Sequence, residues 1–298
     1  MDVLSFSLPL ADGRSLDVDV SGPDGGTPLV VHHGTPGDRT QYPPFAEAAA
    51  ARGLRYVAAS RPGYGGSSRQ QGRAVADCAA DTAAVLDHLG ARHCYTVGAS
   101  GGGPHALACA ALLPDRVHAC ATVAGVGPYR AEGLDFLAGM GRENHEEFGA
   151  ALAGPDRLQA YLEGQARTLA QVTGEQLAEA LGDLVSAVDV AALTGEFATY
   201  LAESVHGAVA GGIWGWFDDD MAFTRPWGFD LGGIAVPVVV WQGGQDRMVP
   251  FAHGRWLAAR LPSAGARLLP GEGHLSIVVA KFGEVVDELL ASAPGAAR

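Results

Sequence analysis

Residues 94–104 read Cys-Tyr-Thr-Val-Gly-Ala-Ser-Gly-Gly-Gly-Pro. The first four are typical of a buried strand, and a proline is typical of the first turn of a helix. Between them lies the pattern Gly-x-Ser-x-Gly with Ser100 at its centre. A sharp turn from strand to helix strains its central residue and leaves room only for very small residues two positions before and after it. The stretch therefore predicts a serine hydroxyl that projects above a sheet, beside free N–H groups of the following helix.

The rest of the chain alternates between strand-like and helix-like patterns. Residues 3–20 alternate polar and apolar side chains around a turn, which predicts an antiparallel hairpin. Short β-rich runs indicate buried strands at 28–34, 55–60, 94–100, 118–125, 236–244 and 266–273. Helical spacing occurs at 42–52, 73–89, 104–113, 251–261 and 276–290. This alternation predicts an α/β fold with a mostly parallel, eight-stranded sheet and helices on both faces.

One long segment interrupts the alternation. Residues 128–230 contain helix-like patterns and no convincing strand, and the strands resume afterwards. The helix-like patterns lie at 156–169, 175–184 and 195–209. We therefore predict an inserted, all-helical cap at 128–230 and a discontinuous core formed by residues 1–127 and 231–298.

Aromatic residues are concentrated at the end of this insertion. Eight of the 22 aromatic residues of the chain lie between positions 197 and 229. They can pack the core of the insertion itself or line an apolar substrate pocket, and the sequence leaves both interpretations open. The candidates for the pocket are Trp214, Trp216, Phe217 and Trp227.

The charged residues exclude several classes of function. The chain has 33 acidic and 20 basic residues, a net charge of −13, and no basic run, so nucleic acid is not an expected partner. Lys281 is the only lysine, so a Walker-type phosphate loop is excluded. The first residues lack the pattern of an export signal, and no run of 18 apolar residues occurs. We expect a cytoplasmic protein with no membrane partner.

No pattern in the sequence indicates a metal or another cofactor. The four cysteines contain no Cys-x-x-Cys pair, and we expect them to be buried and reduced. Asp218, Asp219 and Asp220 are consecutive carboxylates, for which we expect a solvated turn with Arg225 as a partner rather than a metal site.

A serine nucleophile needs a base that accepts its proton and a carboxylate that orients the base. Of the ten histidines, only His274 follows a strand in a glycine-flanked loop, and we predict it as the base. Asp246, which follows the strand at 236–244, is the predicted orienting acid. Glu272 lies only two residues before His274, too close to reach the imidazole from behind. The predicted catalytic residues are therefore Ser100, Asp246 and His274.

Five motifs occur in a recognisable order. They are His33 to Gly37, Arg61 to Ser67, Gly98 to Gly102, Gly243 to Asp246 and Gly271 to His274. With them, nearly the whole chain resembles the α/β-hydrolase-fold serine hydrolases with a helical cap, whose triad follows the order Ser, Asp, His. The resemblance implies an oxyanion hole formed by the backbone N–H groups of Thr35 and Gly101, since Pro36 has no N–H. His32 is a further candidate for substrate contact.

The resemblance also implies an activity. The expected enzyme is a cofactor-independent serine hydrolase that cleaves a small, largely apolar ester or lactone through an acyl-enzyme on Ser100. Proline-iminopeptidase-like aminopeptidases and C–C bond hydrolases share the triad, although the sequence does not identify acidic residues that would hold a substrate amine. Relatives that open epoxides carry Asp in place of Ser100.

Two further classes are weighed against this activity. A non-catalytic ligand receptor on the same fold stays an alternative, because function resides in the site rather than the fold. The glycine-rich turn does not fit the dinucleotide-binding pattern. The expected partner is a small-molecule substrate, and the sequence leaves the oligomeric state open, a homodimer included.

Overall fold

The computed structural model describes residues 2–262 and 264–293, and one eight-stranded sheet lies at its centre. Strands β1 to β8 are Val3–Pro9, Ser15–Ser21, Thr27–His32, Leu54–Ala59, Cys94–Ala99, Val117–Val123, Val238–Gly243 and Gly265–Leu269. Their order across the sheet is β1-β2-β4-β3-β5-β6-β7-β8. Strand β2 pairs antiparallel with both β1 and β4, and all other pairs are parallel. The predicted α/β fold and its mostly parallel sheet are confirmed.

Eleven α-helices accompany the sheet in the described residues. Helices α1 to α11 are Pro43–Ala50, Cys78–His88, Gly102–Leu112, Arg142–Ala153, Pro155–Leu169, Leu177–Leu181, Ala187–Ala192, Gly195–Ala210, Trp214–Phe223, Phe251–Arg260 and His274–Ser292. The five helices predicted between the strands correspond to α1, α2, α3, α10 and α11. The first turn of the predicted helix at 73–89 is a 3-10 turn, Val75–Asp77, and α11 begins two residues earlier than predicted.

The apolar core lies on both faces of the sheet, because successive side chains of a strand point in opposite directions. In β3, Leu29 belongs to the cluster that includes residues of α1 and α11. Its neighbour Val30 belongs to the cluster that includes residues of α2, α3 and α10. The strands buried on both faces therefore appear in the sequence as continuous apolar runs rather than as an alternating pattern.

Six of the helices, α4 to α9, lie between β6 and β7, and the chain from residue 124 to 237 contains no strand. The sequence pattern predicts α5, α6 and α8 and misses the other three. Helix α9 was missed because seven of its ten residues are buried, so it lacks the apolar stripe of a surface helix. The division into a core and a cap at residues 128 and 230 stays a prediction. None of the described helices is long and apolar enough to cross a membrane.

Candidate active site

Ser100 follows β5 and has a backbone φ of +55°, in the left-handed region that non-glycine residues rarely adopt. Its N–H donates to the carbonyl of Val123 at 2.9 Å, on the neighbouring strand. A side chain at Gly98 would collide with the carbonyl oxygen of Gly102, and a side chain at Gly102 would collide with that of His32. These contacts explain why glycine stands two residues before and two residues after the serine, and they fix the strained turn.

His274 and Asp246 meet at the same edge of the sheet. Nδ1 of His274, the first residue of α11, lies 2.8 Å from Oδ2 of Asp246, in the loop after β7. The other carboxylate oxygen accepts hydrogen bonds from the N–H groups of Met248, at 2.9 Å, and Val249, at 2.7 Å. Gln242 donates to Oδ2 at 2.9 Å. The carboxylate is thus held on both oxygens and fixes the orientation of the imidazole.

The protonation of this pair follows from its burial and charge. Burial opposes protonation of His274, but the charge and hydrogen bond of Asp246 outweigh it, so the pKa of His274 is raised above its usual value of 6.5. Burial raises the pKa of Asp246, although the imidazole opposes this rise. Because a carboxylate only accepts hydrogen bonds, the neutral imidazole is assigned its proton on Nδ1, which leaves Nε2 as a proton acceptor.

The structure brings Asp246 and His274 into contact and leaves the hydroxyl of Ser100 unbonded. Within residues 2–262 and 264–293, Ser100 Oγ has no hydrogen-bond partner. All three residues nevertheless follow the carboxyl ends of parallel strands, which meet at one edge of the sheet. Glu272, the alternative acid, instead accepts a hydrogen bond from Ser276 Oγ at 2.7 Å.

Asp189 contacts the segment that carries His274, and the sequence pattern does not predict this contact. It belongs to α7, yet it accepts hydrogen bonds from the N–H groups of Leu275, at 2.8 Å, and Ser276, at 3.0 Å. It therefore caps the first turn of α11, which begins at His274, and its negative charge contributes to the raised pKa of that histidine. The partners lie 86 and 87 residues apart in the chain, so no local motif connects them.

Thr35 and Gly101 lie side by side next to Ser100. A side chain at Gly101 would collide with Thr35 Oγ1, and one at Gly34 would lie 3.6 Å from the β-carbon of Ser100. In the part of the chain that the structure describes, neither the N–H of Thr35 nor that of Gly101 donates a hydrogen bond. Two unused N–H groups beside a serine can stabilise the negative oxygen that forms when the serine attacks a carbonyl group.

Comparison with known proteins agrees with this architecture. Residues 27–281 match the family model described as alpha/beta hydrolase fold. The chain belongs to the alpha/beta hydrolase fold family. The predicted resemblance to this family is confirmed, and relatives named as hydrolases support the predicted enzyme class. The solved structure of an alpha/beta hydrolase fold protein from Nakamurella multipartita is 26% identical in sequence, with a TM-score of 0.66 over 97% of this chain and 99% of that one.

Curated relatives within the alpha/beta hydrolase fold family carry diverse names. The non-heme chloroperoxidase of Streptomyces lividans is 29% identical over 90% of this chain and 91% of its own. Epoxide hydrolase B of Mycobacterium tuberculosis is 36% identical over 46% of this chain. The chain spans 40% of the length of that epoxide hydrolase, and less than two thirds of two other curated relatives. The comparisons therefore establish the fold family, and the activity and substrate must be argued from the site.

A buried ionic cluster centred on Asp219 of α9 lies against the loop at residues 33–35. Its carboxylate pairs with Arg61 at 2.7 Å and with Arg73 at 2.6 Å. It also accepts hydrogen bonds from Tyr64 Oη at 2.8 Å and from Thr35 Oγ1 at 2.7 Å. Burial alone would raise the pKa of Asp219, but the two guanidinium groups outweigh it and hold that pKa well below 3.8. Asp219 thus fixes the side chain of Thr35, which lies beside Ser100.

The solvated turn expected at Asp218, Asp219 and Asp220 is wrong. All three are buried, and they lie within α9. Arg225 is exposed, and the actual partners are Arg61 and Arg73 for Asp219, and Arg69 for Asp218. The loop that carries these arginines lies against α9, a contact that local sequence does not reveal. The described residues contain no group of three side chains suited to hold a metal ion.

A cavity of about 150 Å³ opens beside Ser100 and includes Thr35 and Gly101 in its lining. Of the four aromatic pocket candidates, Trp216 lines it. Trp214 and Phe217 lie elsewhere, because they pack against the guanidinium of Arg69, which is 3.9 Å and 5.6 Å from their ring centroids.

Two more candidates for substrate contact, Trp227 and His32, do not line this cavity. Trp227 packs against Phe229 and the core, outside the cavity. His32 is buried, and its Nε2 lies 3.6 Å from Cys109 Sγ.

The cavity also contains acidic groups that sequence reasoning did not identify. Glu143 and Glu147 of α4 and Asp220 of α9 line it together with Ser100. Helices α4 and α9 lie between β6 and β7, and the sequence pattern predicts neither of them. The carboxylates were therefore not recognised as site residues.

Proposed function

We propose that this α/β-fold hydrolase cleaves a small carboxylic ester or lactone through an acyl-enzyme on Ser100, with His274 as the base and Asp246 as its orienting acid. The observation that carries the proposal is the 2.8 Å contact between His274 and Asp246, at the sheet edge where the Ser100 turn also lies. A histidine held in this way presents one free nitrogen that can accept a proton near neutral pH.

In the proposed reaction, Ser100 Oγ attacks the carbonyl carbon while His274 accepts the hydroxyl proton. The negative oxygen is held by the N–H groups of Thr35 and Gly101, and one such donor contributes about 2.7 to 4 kcal/mol in the transition state. The bond to the alkoxy oxygen then breaks, and the alcohol takes the proton from His274. Water next attacks the acyl-enzyme, gives a proton to His274, and releases the carboxylic acid as Ser100 Oγ is protonated again.

The size of the cavity supports a small substrate. A volume of about 150 Å³ holds a group about as large as benzene. Apolar side chains form much of its wall, among them Val126, Phe148 and Phe223. Phe148, Trp216 and Phe223 come from the inserted segment, so we propose that residues 128–230 act as the cap that encloses the acyl group. The reaction as written needs no metal or other cofactor.

Chromogenic esters test the proposal directly. We expect p-nitrophenyl acetate and butyrate to be hydrolysed faster than the octanoate, because the longer chain exceeds the cavity, with simple lactones assayed alongside. Ser100→Ala should reduce turnover by about 10⁶-fold. Ser5→Ala, on the exposed strand β1, is the matched control and should leave turnover unchanged. Full activity of a folded Ser100→Ala variant would exclude the mechanism, and no turnover of any ester or lactone would favour a ligand receptor.

A further inference from the structure

The guanidinium of Arg61 lies against the peptide group that precedes Thr35. Its Nη1 donates to the carbonyl oxygen of His33 at 2.5 Å, and its Nη2 donates to that of Gly34 at 2.8 Å and to Thr35 Oγ1 at 3.0 Å. The side chain of Arg61 is only 4% exposed, so these bonds are shielded from water. Arg61 therefore holds three consecutive residues of the segment that passes beside Ser100.

His33 also holds the carbonyl oxygen of Gly34. Its Nδ1 lies 2.8 Å from that oxygen, and its Nε2 accepts a hydrogen bond from the backbone N–H of Arg61 at 3.0 Å. Burial lowers the pKa of His33 well below 6.5, and the charge of Arg61 lowers it further, so the ring is neutral near pH 7. Because a carbonyl oxygen only accepts hydrogen bonds, the single proton of the ring is assigned to Nδ1. The oxygen of Gly34 thus accepts two hydrogen bonds.

These two hydrogen bonds also fix the direction of the Thr35 N–H, because the carbonyl of Gly34 and this N–H belong to one planar peptide group. The peptide is trans, so the two groups point in opposite directions. Thr35 and Ser100 line the cavity, whereas Arg61 and His33 do not. The carbonyl of Gly34 therefore points away from the cavity, and the N–H of Thr35 points towards it.

Two arginines share Asp219 as their counter-ion but differ in their other contacts. Arg61 pairs with this carboxylate at 2.7 Å, and Arg73, which is 3% exposed, pairs with it at 2.6 Å. Arg73 also donates to the carbonyl oxygen of Gly215 at 3.1 Å, within α9. The two side chains are thus equally buried and neutralised by the same group, and of the two it is Arg61 that contacts the peptide of Thr35.

We propose that Arg61 is a positioning residue for the reaction at Ser100. By holding the carbonyl of Gly34 on the side away from the cavity, Arg61 directs the N–H of Thr35 at the negative oxygen that forms when Ser100 attacks a carbonyl group. A donor whose direction is set before the reaction stabilises this oxygen without reorganising at the moment of attack. The role rests on the proposed acyl-enzyme at Ser100 and identifies the side chain that orients one of its two donors.

Arg61→Lys tests this role, because lysine keeps the buried positive charge but lacks the planar fork that reaches two carbonyl oxygens at once. Loss of a whole donor lowers kcat by about 10²- to 10³-fold, so a misdirected donor should lower kcat for p-nitrophenyl butyrate by about 10- to 100-fold. KM should stay close to the wild-type value, since the affected hydrogen bond forms only in the transition state. Arg73→Lys is the matched control, an equivalent change beside the same carboxylate, and should leave kcat unchanged.

A transition-state analogue separates the direction of the donor from a general structural effect. A trifluoromethyl ketone with a butyryl-sized chain adds to an activated serine and forms a negative oxygen, whereas the corresponding methyl ketone stays neutral. Arg61→Lys should weaken inhibition by the trifluoromethyl ketone by the same factor as kcat and leave inhibition by the methyl ketone unchanged. His33→Phe is a second variant, which removes the other donor to Gly34 without leaving a buried charge unpaired, and should lower kcat and this inhibition together.

The outcomes separate this role from the proposed function. Wild-type kcat and inhibition in both Arg61→Lys and His33→Phe would overturn the positioning role and leave the proposed function standing. An equal fall of kcat in Arg61→Lys and Arg73→Lys would also overturn it, because both changes would then act only through packing. If wild type cleaves no ester or lactone, the proposed function fails, and the positioning role fails with it. Circular dichroism shows which variants are folded, and His33→Phe decides the matter if Arg61→Lys is not.

Discussion

The adjacent residues Asp219 and Asp220 should respond in opposite ways to the same substitution. Asp219→Asn removes the charge that compensates Arg61 and Arg73, whose side chains are only 4% and 3% exposed. Neither guanidinium can reach water without displacing the packed α9. Breaking a buried ion pair by removing one partner costs about 3 to 5 kcal/mol, because a buried charge is left uncompensated. We expect Asp219→Asn to lower the free energy of unfolding by that amount.

Asp220→Asn removes a buried carboxyl group that has no ion-pair partner among the described residues. The amide can keep a hydrogen bond to Glu147, and both the repulsion between the two carboxyl groups and the unfavourable burial of a charge are relieved. We therefore expect the free energy of unfolding to stay within about 1 kcal/mol of the wild-type value or to rise. Asp287→Asn, which breaks an exposed ion pair with Arg52, is the surface control and should also change stability by less than about 1 kcal/mol.

Urea unfolding followed by circular dichroism measures all three variants. With a slope of about 3 kcal/mol per molar urea, Asp219→Asn should lower the midpoint by about 1 to 2 M. The midpoints of Asp220→Asn and Asp287→Asn should lie close to that of wild type. Equal shifts for Asp219→Asn and Asp220→Asn would refute the distinction between a compensated and an uncompensated carboxylate in α9.

Three further predictions concern the geometry around His274 and Ser100. Because the pKa of His274 is raised above 6.5 and the base must be neutral, the rate should fall on acidification with an inflection above pH 6.5; an inflection well below 6.5 would contradict the pairing with Asp246. Asp189→Asn should move this inflection to lower pH and lower the free energy of unfolding in urea by about 1.5 to 3 kcal/mol. An unchanged pH profile would exclude an effect of Asp189 on the pKa of His274. Gly98→Ala should abolish activity and lower the urea midpoint, because the β-carbon of the alanine would collide with the carbonyl oxygen of Gly102. A fully active variant would show that the turn tolerates a side chain at this position.

The elements that sequence reasoning predicted well depend on local patterns. Strand β5 and the Ser100 turn lie within ten residues of each other. Over so short a stretch, a buried apolar run predicts the strand, and the small residues around Ser100 predict the sharp turn. Asp246 follows β7 and His274 follows β8. Because the carboxyl ends of parallel strands meet at one edge of the sheet, the predicted strand ends also locate these two residues. The five helices that follow individual strands outside the segment between β6 and β7 are recovered with end errors of a few residues.

The features that sequence reasoning missed depend on contacts between distant segments. Asp189 caps α11 across 86 residues, and Asp219 pairs with Arg61 across 158. A run of three aspartates ordinarily indicates a solvated turn, and only the arginines packed against α9 make burial possible. Trp214 and Phe217 likewise pack on Arg69, a residue about 145 positions earlier in the chain, and not on the cavity.

The identity of the nucleophile is the central claim, and covalent labelling tests it most directly. A fluorophosphonate probe reacts with an activated serine, and mass spectrometry of the digested protein identifies the modified residue. The account predicts one adduct, on the peptide that contains Ser100, formed much more slowly in His274→Ala. An adduct on another residue, or full turnover of esters by protein in which Ser100 is labelled, would contradict it.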